Sequence, residues 1–298
     1  MWLSVMVIFL AYAVVFILFE DYDRKFIMPF NEVSDWHLLL FSLVVMAGLG
    51  FLLFRYAKRM DERISREQAE KESRMRRELT QNIAHELKTP VASILGYTDT
   101  ILESPHITDE VKHQFIVRTN AQARRLTTLL HDISTLNRMD YAHDMITKER
   151  VNVAALVADI VQETTFELSR REMTLHNYLP QDIVVNGNYS LIYSIFRNLV
   201  DNAISHAGRR AVIEVGAQPQ HDYWQFTFKD NGTGIAAEHL PRIFERFYRV
   251  DKGRSRDLGG TGLGLAIVKN AVLFHGGAIS VSSPATGGLA FEFTLKRR

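Results

Sequence analysis

Apolar residues are distributed unevenly: two long apolar runs begin the chain, a charge-dense stretch follows, and short apolar patterns alternate after it. Residues 2–19 form the first run, and residues 36–56, which include one histidine, form the second. As helices they would extend about 27–32 Å, which matches the hydrocarbon core of a bilayer. The pattern therefore predicts two transmembrane helices in a membrane anchor over residues 1–56.

Basic residues predict the orientation of this anchor. Arg55, Lys58 and Arg59 crowd the end of the second run, whereas the loop 20–35 holds only two basic residues. Because basic residues concentrate on the cytoplasmic side, we expect the rest of the chain to be cytoplasmic. The loop is too short for a folded external sensor domain. A cleaved signal peptide is the alternative for the first run, which lacks the cationic start and cleavage site of such peptides.

A charge-dense segment without glycine or proline follows over residues 57–79. Its few apolar residues, Met60, Ile64, Met75 and Leu79, form a sparse seam along one predicted helix. The segment is either a solvated helix or a dimeric coiled coil that carries displacements of the membrane helices to the next domain.

Residues 80–145 contain a predicted helical hairpin. Ser104 and Pro105 end the first arm, and Thr108, with two acidic residues after it, begins the second arm as a helix N-cap. The second arm extends to Asp140, and its apolar residues recur mostly every three or four positions: Val111, Phe115, Leu126, Leu129, Leu130, Ile133, Leu136 and Met139. A hairpin cannot bury such a stripe alone, so pairing of two copies into a four-helix bundle is expected, which predicts a homodimer.

From residue 146 to residue 298, strand and helix patterns alternate, which predicts an α+β sandwich with one mixed sheet covered on one face by helices. The predicted strands are 151–153, 174–178, 183–185, 212–215, 223–229, 278–281 and 290–295. The predicted helices are 154–167, 189–206 and 263–275. The predicted fold class is thus multidomain: two transmembrane helices, a dimeric helical hairpin and an α+β sandwich.

Composition excludes several function classes. The formal net charge of +1 gives no general attraction to nucleic acid, and we expect no nucleic-acid partner. The sequence contains no cysteine, which excludes disulfides and thiolate zinc sites. Candidate chemistry must therefore come from local motifs.

The first such motif is His85-Glu86, with Thr89 one helical turn further on. The sequence has eleven histidines, so only this context singles out His85. A neutral, exposed imidazole can attack a γ-phosphate, and the neighbouring carboxylate can orient the ring and accept its proton. Thr89 is expected on the same helix face as His85. Alternatively, Thr89 simply precedes Pro90, which restricts its backbone and bends the helix.

Two asparagines and an aspartate are the next candidates. Asn198 and Asn202 lie one turn apart on a predicted helix, and amide oxygens suit Mg²⁺, although two amides can also cap or bridge helices. Asp230 ends a predicted strand, and Gly232 and Gly234 after it allow the backbone to approach a ligand closely. A hairpin turn is the alternative reading of this second motif.

A glycine-rich loop precedes the last predicted helix. Gly260, Gly262 and Gly264 leave backbone N–H groups and the helix N-terminus open to phosphate. A dinucleotide-binding loop is the rival interpretation, but it needs a strand directly before the glycines, where residues 250–257 are charged and loop-like.

The segment before this charged run contains aromatic and basic residues. Arg249 could reach a γ-phosphate as a charge clamp. Phe244 and Phe247 are either core residues or contacts to the helical hairpin. Both alternatives remain open from the sequence.

The chain resembles two-component sensor histidine kinases, nearly continuously from Met60 onward. The resemblance rests on four motifs in the order of that family: the His85 motif, the asparagine pair, the Asp230 motif and the glycine loop. The resemblance implies a HisKA-type dimerisation and phosphoacceptor domain and a GHKL-type ATP-binding domain. It implies that His85 is the phosphoacceptor and that Glu86 is its base and orienting group. It also implies that Thr89 positions a water in a phosphatase reaction.

For the nucleotide, the resemblance implies Mg²⁺ ligation by Asn202 with help from Asn198, and a hydrogen bond from the adenine amino group to Asp230. The remaining cofactor-binding residues are Gly232, Gly234, Arg249, Gly260, Gly262 and Gly264. The chain departs from the family at Ser205, where relatives frequently carry a cation, and at His206, where they often carry Tyr. Phosphate binding is therefore expected to depend more on Arg249.

The resemblance implies a kinase bound to the bacterial inner membrane, with its kinase domains in the cytoplasm and with ATP and Mg²⁺ as cofactors. The phosphoryl group on His85 would pass to an aspartate in the receiver domain of a separate response regulator, acting in trans. A GHKL-type conformational ATPase is the first rival, since such ATPases share the order of nucleotide motifs but lack the His-Glu-x-x-Thr hairpin. The second rival is a signalling scaffold that is phosphatase-dominant or non-catalytic.

Overall fold

A computed structural model describes residues 35–104, 106–141, 146–250, 260–285 and 287–297. Its contacts divide the chain into two compact units, Met1–Arg74 and Met75–Arg298. Helix α1 extends over Asp35–Glu103, so the described part of the first unit is helical. The predicted continuous helix over residues 57–79 is therefore confirmed, and its pairing as a coiled coil stays a prediction.

The two predicted membrane spans have different outcomes. The span over residues 2–19 lies outside the described residues. In the described part of the chain, no helix is long and apolar enough to cross a membrane, so the span over residues 36–56 is not confirmed. Within α1 these residues lead without a break into Arg55 and the charged residues that follow. Large apolar side chains of this stretch, including Leu43 and Phe54, are exposed.

The second unit begins with the predicted hairpin. Its arms are the remainder of α1, which ends at Glu103, and helix α2, Asp109–Tyr141. The Thr108 hydroxyl accepts a hydrogen bond of 3.4 Å from the backbone N–H of Val111, which confirms the predicted helix start. Pro90 lies inside α1, and the helix continues through it.

The apolar stripe of α2 is divided between two environments. Leu129, Leu136 and Met139 are buried within the single chain. Toward the tip of the hairpin, apolar side chains are exposed instead: Leu95, Leu102, Val111, Ile116 and Val117. The buried group lies beside the α+β domain, since Ile133 and Leu136 line a small cavity together with Leu263.

The α+β domain follows the predicted order of elements. It contains strand β1 (Glu149–Asn152), helix α3 (Val153–Arg170), strands β2 (Thr174–Asn177) and β3 (Val184–Gly187), helix α4 (Tyr189–His206), strands β4 (Val212–Gln220) and β5 (Tyr223–Asp230), helix α5 (Gly264–Phe274), and strands β6 (Ile279–Ser282) and β7 (Ala290–Lys296). The five-stranded sheet has the order β2-β4-β5-β7-β6. The β2–β4 pair is parallel and the other pairs are antiparallel, so this sheet is mixed as predicted.

The prediction of a single sheet was wrong, because β1 and β3 pair only with each other. Each of these strands has four residues and leads into a helix whose N-cap is an asparagine, Asn152 for α3 and Asn188 for α4. The immediate start of a helix limits the length of each strand, and the two strands form a separate antiparallel pair. Strand β4 is longer than predicted, since antiparallel pairing with β5 continues to Gln220.

Aromatic side chains fill the space between the helices and one face of the main sheet. The ring of Phe196 on α4 packs edge-on against Phe226 of β5 and Phe293 of β7, at centroid distances of 5.5 and 5.7 Å. Phe226 and Phe293 stack at 5.1 Å. Alternate residues of β5 are buried, so one face of the sheet is covered by the helices, as predicted.

His275, directly after α5, is buried and held in its neutral form. Its Nε2 accepts a hydrogen bond of 3.0 Å from the backbone N–H of Asn188, and its Nδ1 lies 2.6 Å from the carbonyl oxygen of Ala271. The imidazole therefore carries its proton on Nδ1, because Nε2 must accept. Burial lowers the pKa of His275 below its ordinary 6.5, and the charge of Lys148 acts in the same direction.

We expect His275 to make the fold acid-sensitive. Because the folded pKa lies below the unfolded value, the unfolded chain binds the proton first as the pH falls below 6.5, and stability is lost through that window. One proton gives a slope of at most about 1.4 kcal/mol per pH unit. Urea unfolding at several pH values should show a smaller acid slope in His275→Gln, whereas His113→Gln, an exposed control, should keep the wild-type slope. Equal slopes in all three proteins would contradict this role.

Candidate functional site

His85 lies on α1 with its side chain exposed. A shallow surface depression is lined by His85, Lys88, Thr89, Ala92 and Ser93, so the predicted pair shares one helix face. The Thr89 hydroxyl lies 3.4 Å from the backbone carbonyl oxygen of His85, to which it donates. An exposed imidazole beside a hydroxyl and an ammonium group is accessible to a phosphorylated ligand.

Glu86 is held between two arginines. Its Oε2 lies 3.3 Å from an Nη atom of Arg125 on α2 and 3.2 Å from an Nη atom of Arg249 in the α+β domain. Among the described residues, no hydrogen bond joins Glu86 to His85 and none reaches Glu86 Oε1. The structure thus brings predicted residues from both ends of the site together, while one carboxylate oxygen stays available.

Sequence reasoning missed Arg125. A signal for it was present, since Arg125, Leu129, Asp132 and Leu136 are spaced four, three and four residues apart, which is the spacing of a single helix face. Leu129 and Leu136 are buried on that face. A cation in the same stripe needs an anionic partner, and that partner is Glu86.

The asparagine pair lies on α4. The Asn198 amide nitrogen donates to the carbonyl oxygen of Ser194 at 2.8 Å, which fixes its orientation. A Cβ atom at Gly264 would lie 2.6 Å from the Asn198 amide oxygen, so the glycine allows α5 to approach α4 closely. Asn202 is half-buried, and its amide makes no hydrogen bond to other residues that the structure describes. Its oxygen is therefore open to a ligand.

Asp230 is the last residue of β5, and its side chain is buried. Its Oδ1 accepts a hydrogen bond of 2.9 Å from the backbone N–H of Gly232, and Gly234 follows two residues later. Burial raises the pKa of Asp230 above its ordinary value, against the opposing effect of hydrogen bonds from backbone groups. A buried acceptor with one oxygen not bound by Gly232 suits recognition of a hydrogen-bond donor.

The glycine loop contacts both Arg249 and the hairpin. An Nη atom of Arg249 donates to the carbonyl oxygen of Gly260 at 2.5 Å, and the backbone N–H of Phe247 donates to that of Gly262 at 2.8 Å. Gly262 has a φ of 73°, a left-handed conformation that favours glycine. The Thr261 hydroxyl donates to Asp132 on α2 at 2.7 Å. Residues 251–257 of the charged run lie outside the described residues.

Polar contacts join the hairpin to the α+β domain. Besides the contacts of Glu86 and Asp132, an ion pair of 2.8 Å links Arg246 to Asp140 near the end of α2. Burial raises the pKa of Asp132, and its hydrogen bond from Thr261 acts in the opposite direction. Phe244 packs edge-on against Phe291 of β7, with a centroid distance of 6.3 Å, so it belongs to the core.

Comparison with known proteins identifies two domain families in the chain. Residues 75–142 match the family described as "His Kinase A (phospho-acceptor) domain". Residues 187–298 match the family "Histidine kinase-, DNA gyrase B-, and HSP90-like ATPase". The two families correspond to the hairpin and to most of the α+β domain, and the second implies ATP binding.

Relatives extend this similarity along the chain. A sensor protein kinase WalK from Staphylococcus aureus is 30% identical over 279 residues, which cover 93% of this chain and 66% of that protein. In other Staphylococcus aureus strains the same match covers 45% of WalK, so the chain spans about half to two thirds of the relatives it matches.

Two solved structures share the fold. Acinetobacter baumannii histidine kinase AdeS aligns with a TM-score of 0.60 and 22% identity, over 72% of this chain and 98% of that chain. Histidine kinase ThkA in complex with response regulator protein TrrA aligns with a TM-score of 0.59 and 20% identity, over 74% of this chain and 61% of that chain.

Proposed function

Because the chain belongs to the two-component sensor histidine kinases, we propose that it transfers the γ-phosphoryl group of ATP to His85 and then to an aspartate of a response regulator. One observation carries this proposal. Arg249 contacts both Glu86, the neighbour of the exposed His85, and Gly260 in the glycine loop. Arg249 thus connects the neighbour of the proposed phosphoacceptor to the loop proposed to bind the nucleotide.

His85 acts as the nucleophile in this proposal. An imidazole nitrogen attacks the γ-phosphorus, the bond to the bridging oxygen of ADP breaks, and the ring proton passes to Glu86. The open Oε1 of Glu86 is suited to take this proton. Catalysis then depends on positioning and charge neutralisation, since phosphoryl transfer requires little covalent chemistry from the protein.

The α+β domain supplies the nucleotide site. Asp230 accepts a hydrogen bond from the adenine amino group. Backbone N–H groups of the two glycine motifs approach the nucleotide, and the N-terminus of α5 favours negative charge near Gly262 and Gly264. Arg249 pairs with the γ-phosphate.

The amide oxygen of Asn202 fits a Mg²⁺ ion, a hard cation that binds oxygen and keeps substrate phosphates and waters as further ligands. Asn198 supports this position, because its amide nitrogen is already bound to Ser194 and its oxygen faces the glycine loop. When bound, Mg²⁺ neutralises charge on the phosphates.

Two macromolecular partners follow from this function. A separate response regulator receives the phosphoryl group on its receiver domain, as the complex of ThkA with TrrA illustrates for that kinase. Thr89, on the face of His85, positions a water that attacks the aspartyl phosphate of the regulator and releases inorganic phosphate. A second copy of the chain covers the exposed apolar side chains near the hairpin tip, which gives a homodimeric four-helix bundle.

The proposed location is the bacterial cytoplasmic membrane, with the kinase domains in the cytoplasm. The apolar runs of the sequence and the basic residues after the second run support it. Fractionation of cells expressing the full chain tests this location: release of the protein into the soluble fraction would contradict it.

The kinase reaction is tested with the full chain in detergent, γ-labelled ATP and Mg²⁺. We expect protein-bound label that is lost in acid and stable in base, as a phosphoramidate requires. Subsequent addition of a cognate receiver domain should remove the label from the kinase. ATP hydrolysis without bound label would favour a conformational ATPase, and absence of ATP binding would favour a scaffold.

A further inference from the structure

The carboxylate of Glu86 has two cationic partners where one would neutralise it. Arg125 and Arg249 both contact Oε2, and the three side chains are only 12%, 8% and 17% exposed for Arg125, Arg249 and Glu86. Each cation in such a shielded place has lost much of its hydration, which costs free energy. We therefore expect each of the two arginines to have a role of its own.

The two arginines belong to different domains. Arg125 lies on α2, across the hairpin from Glu86 and 39 residues away in sequence. Arg249 belongs to the α+β domain and also binds the carbonyl oxygen of Gly260 in the glycine loop. Only Arg125 is part of the same hairpin as Glu86, so its contact does not depend on where the α+β domain lies.

The proposed function makes Arg249 an exchangeable partner. If Arg249 pairs with the γ-phosphate, the phosphate competes with Glu86 for its guanidinium group in the reacting complex. Without Arg125, the largely buried carboxylate of Glu86 would then have no partner, and it would turn toward solvent or pair with a wrong cation such as Lys88. Arg125 prevents this, because it continues to hold Oε2 and leaves Oε1 free for the imidazole proton.

We infer that Arg125 is a positioning residue for phosphorylation of His85, acting through Glu86. This inference rests on the proposed function and adds to it a residue on the opposite arm of the hairpin. Arg125 touches neither nucleotide nor imidazole in this mechanism. Its loss should therefore slow the transfer step and leave ATP affinity nearly unchanged.

The test measures initial rates of acid-labile labelling of the full chain in detergent over a range of ATP concentrations. Arg125→Ala should lower kcat about 10- to 100-fold, the effect of a misplaced catalytic group, with KM for ATP within about twofold of wild type. Arg125→Lys, which keeps the charge, should recover part of the rate. Arg124→Ala is the matched control, since Arg124 is the exposed neighbour on the same helix, and it should label like wild type.

A double-mutant cycle with Glu86→Gln separates positioning from a structural role. If Arg125 acts through Glu86, Arg125→Ala should cause little further loss in the Glu86→Gln background. Multiplicative losses, a wild-type rate for Arg125→Ala, or an effect on KM alone would overturn the inference.

Arg125→Gln replaces Arg125→Ala in the cycle if the alanine variant melts below the assay temperature. Failure of wild type and Arg124→Ala to label would instead reject the proposed function, so the two failures are distinguishable.

Discussion

Substitution of His85 by Gln is expected to abolish acid-labile labelling from γ-labelled ATP while nucleotide binding remains. The imidazole is the proposed nucleophile, and its removal leaves no group at this position that can form a phosphoramidate. Because the side chain is exposed and donates no hydrogen bond to another described residue, the fold and the nucleotide site should be unaffected. Labelling is measured by filter binding, and ATP affinity by a fluorescent analogue.

The control for this substitution is His113→Gln. His113 is also exposed and lies on the other arm of the same hairpin. This variant should retain wild-type labelling. Residual label of normal acid lability in His85→Gln would mean that another histidine accepts the phosphoryl group, and the assignment of His85 would then be wrong.

Substitution of Asp230 by Asn is expected to weaken ATP binding by about 10- to 100-fold, the effect of losing one charge-assisted hydrogen bond. An amide can present its oxygen to the Gly232 N–H or to the adenine amino group, but it has no second acceptor atom. Autophosphorylation at subsaturating ATP should fall in proportion. Stability should change little. Burial raises the pKa of Asp230, so a neutral amide avoids the cost of a buried charge, but the amide has one acceptor atom fewer for the backbone hydrogen bonds to the carboxylate.

Asp222→Asn is the matched control for Asp230→Asn. Asp222 lies in the turn directly before the first residue of β5. Its backbone carbonyl oxygen accepts a hydrogen bond from the backbone N–H of Arg297. ATP affinity and melting temperature should both match wild type in this control. A drop in the melting temperature of Asp230→Asn with unchanged ATP affinity would show that Asp230 serves the fold and not the nucleotide.

The local pattern of the sequence predicted most secondary structure. Helix α4 begins and ends where the amphipathic pattern predicted, and Thr108 caps α2 as expected. These features depend on residues close in the chain, which is why local patterns reveal them. The separate β1–β3 pair and the extension of β4 were missed, because strand pairing joins residues far apart in sequence.

Candidate site residues were recognisable because each motif carries its chemistry in adjacent positions. The His85 motif, the asparagine pair, Asp230 and the glycine loop all needed only spacing and residue type. Arg125 and Asp132 were missed, since their partners, Glu86 and Thr261, lie in other elements. A charged residue on an amphipathic helix has no assignable role until its partner is known.

The sequence by itself determined the order of domains, the residues with candidate chemical roles and the family to which the chain belongs. These properties are local: the His85 motif, the asparagine pair and the glycine loop each occupy a few neighbouring residues. Only the tertiary structure decided that Arg249 bridges Glu86 and Gly260 and that Arg125 holds the same carboxylate from the opposite arm. Such contacts depend on how the hairpin closes and how the α+β domain packs against it, and many side chains well separated along the chain determine that packing together.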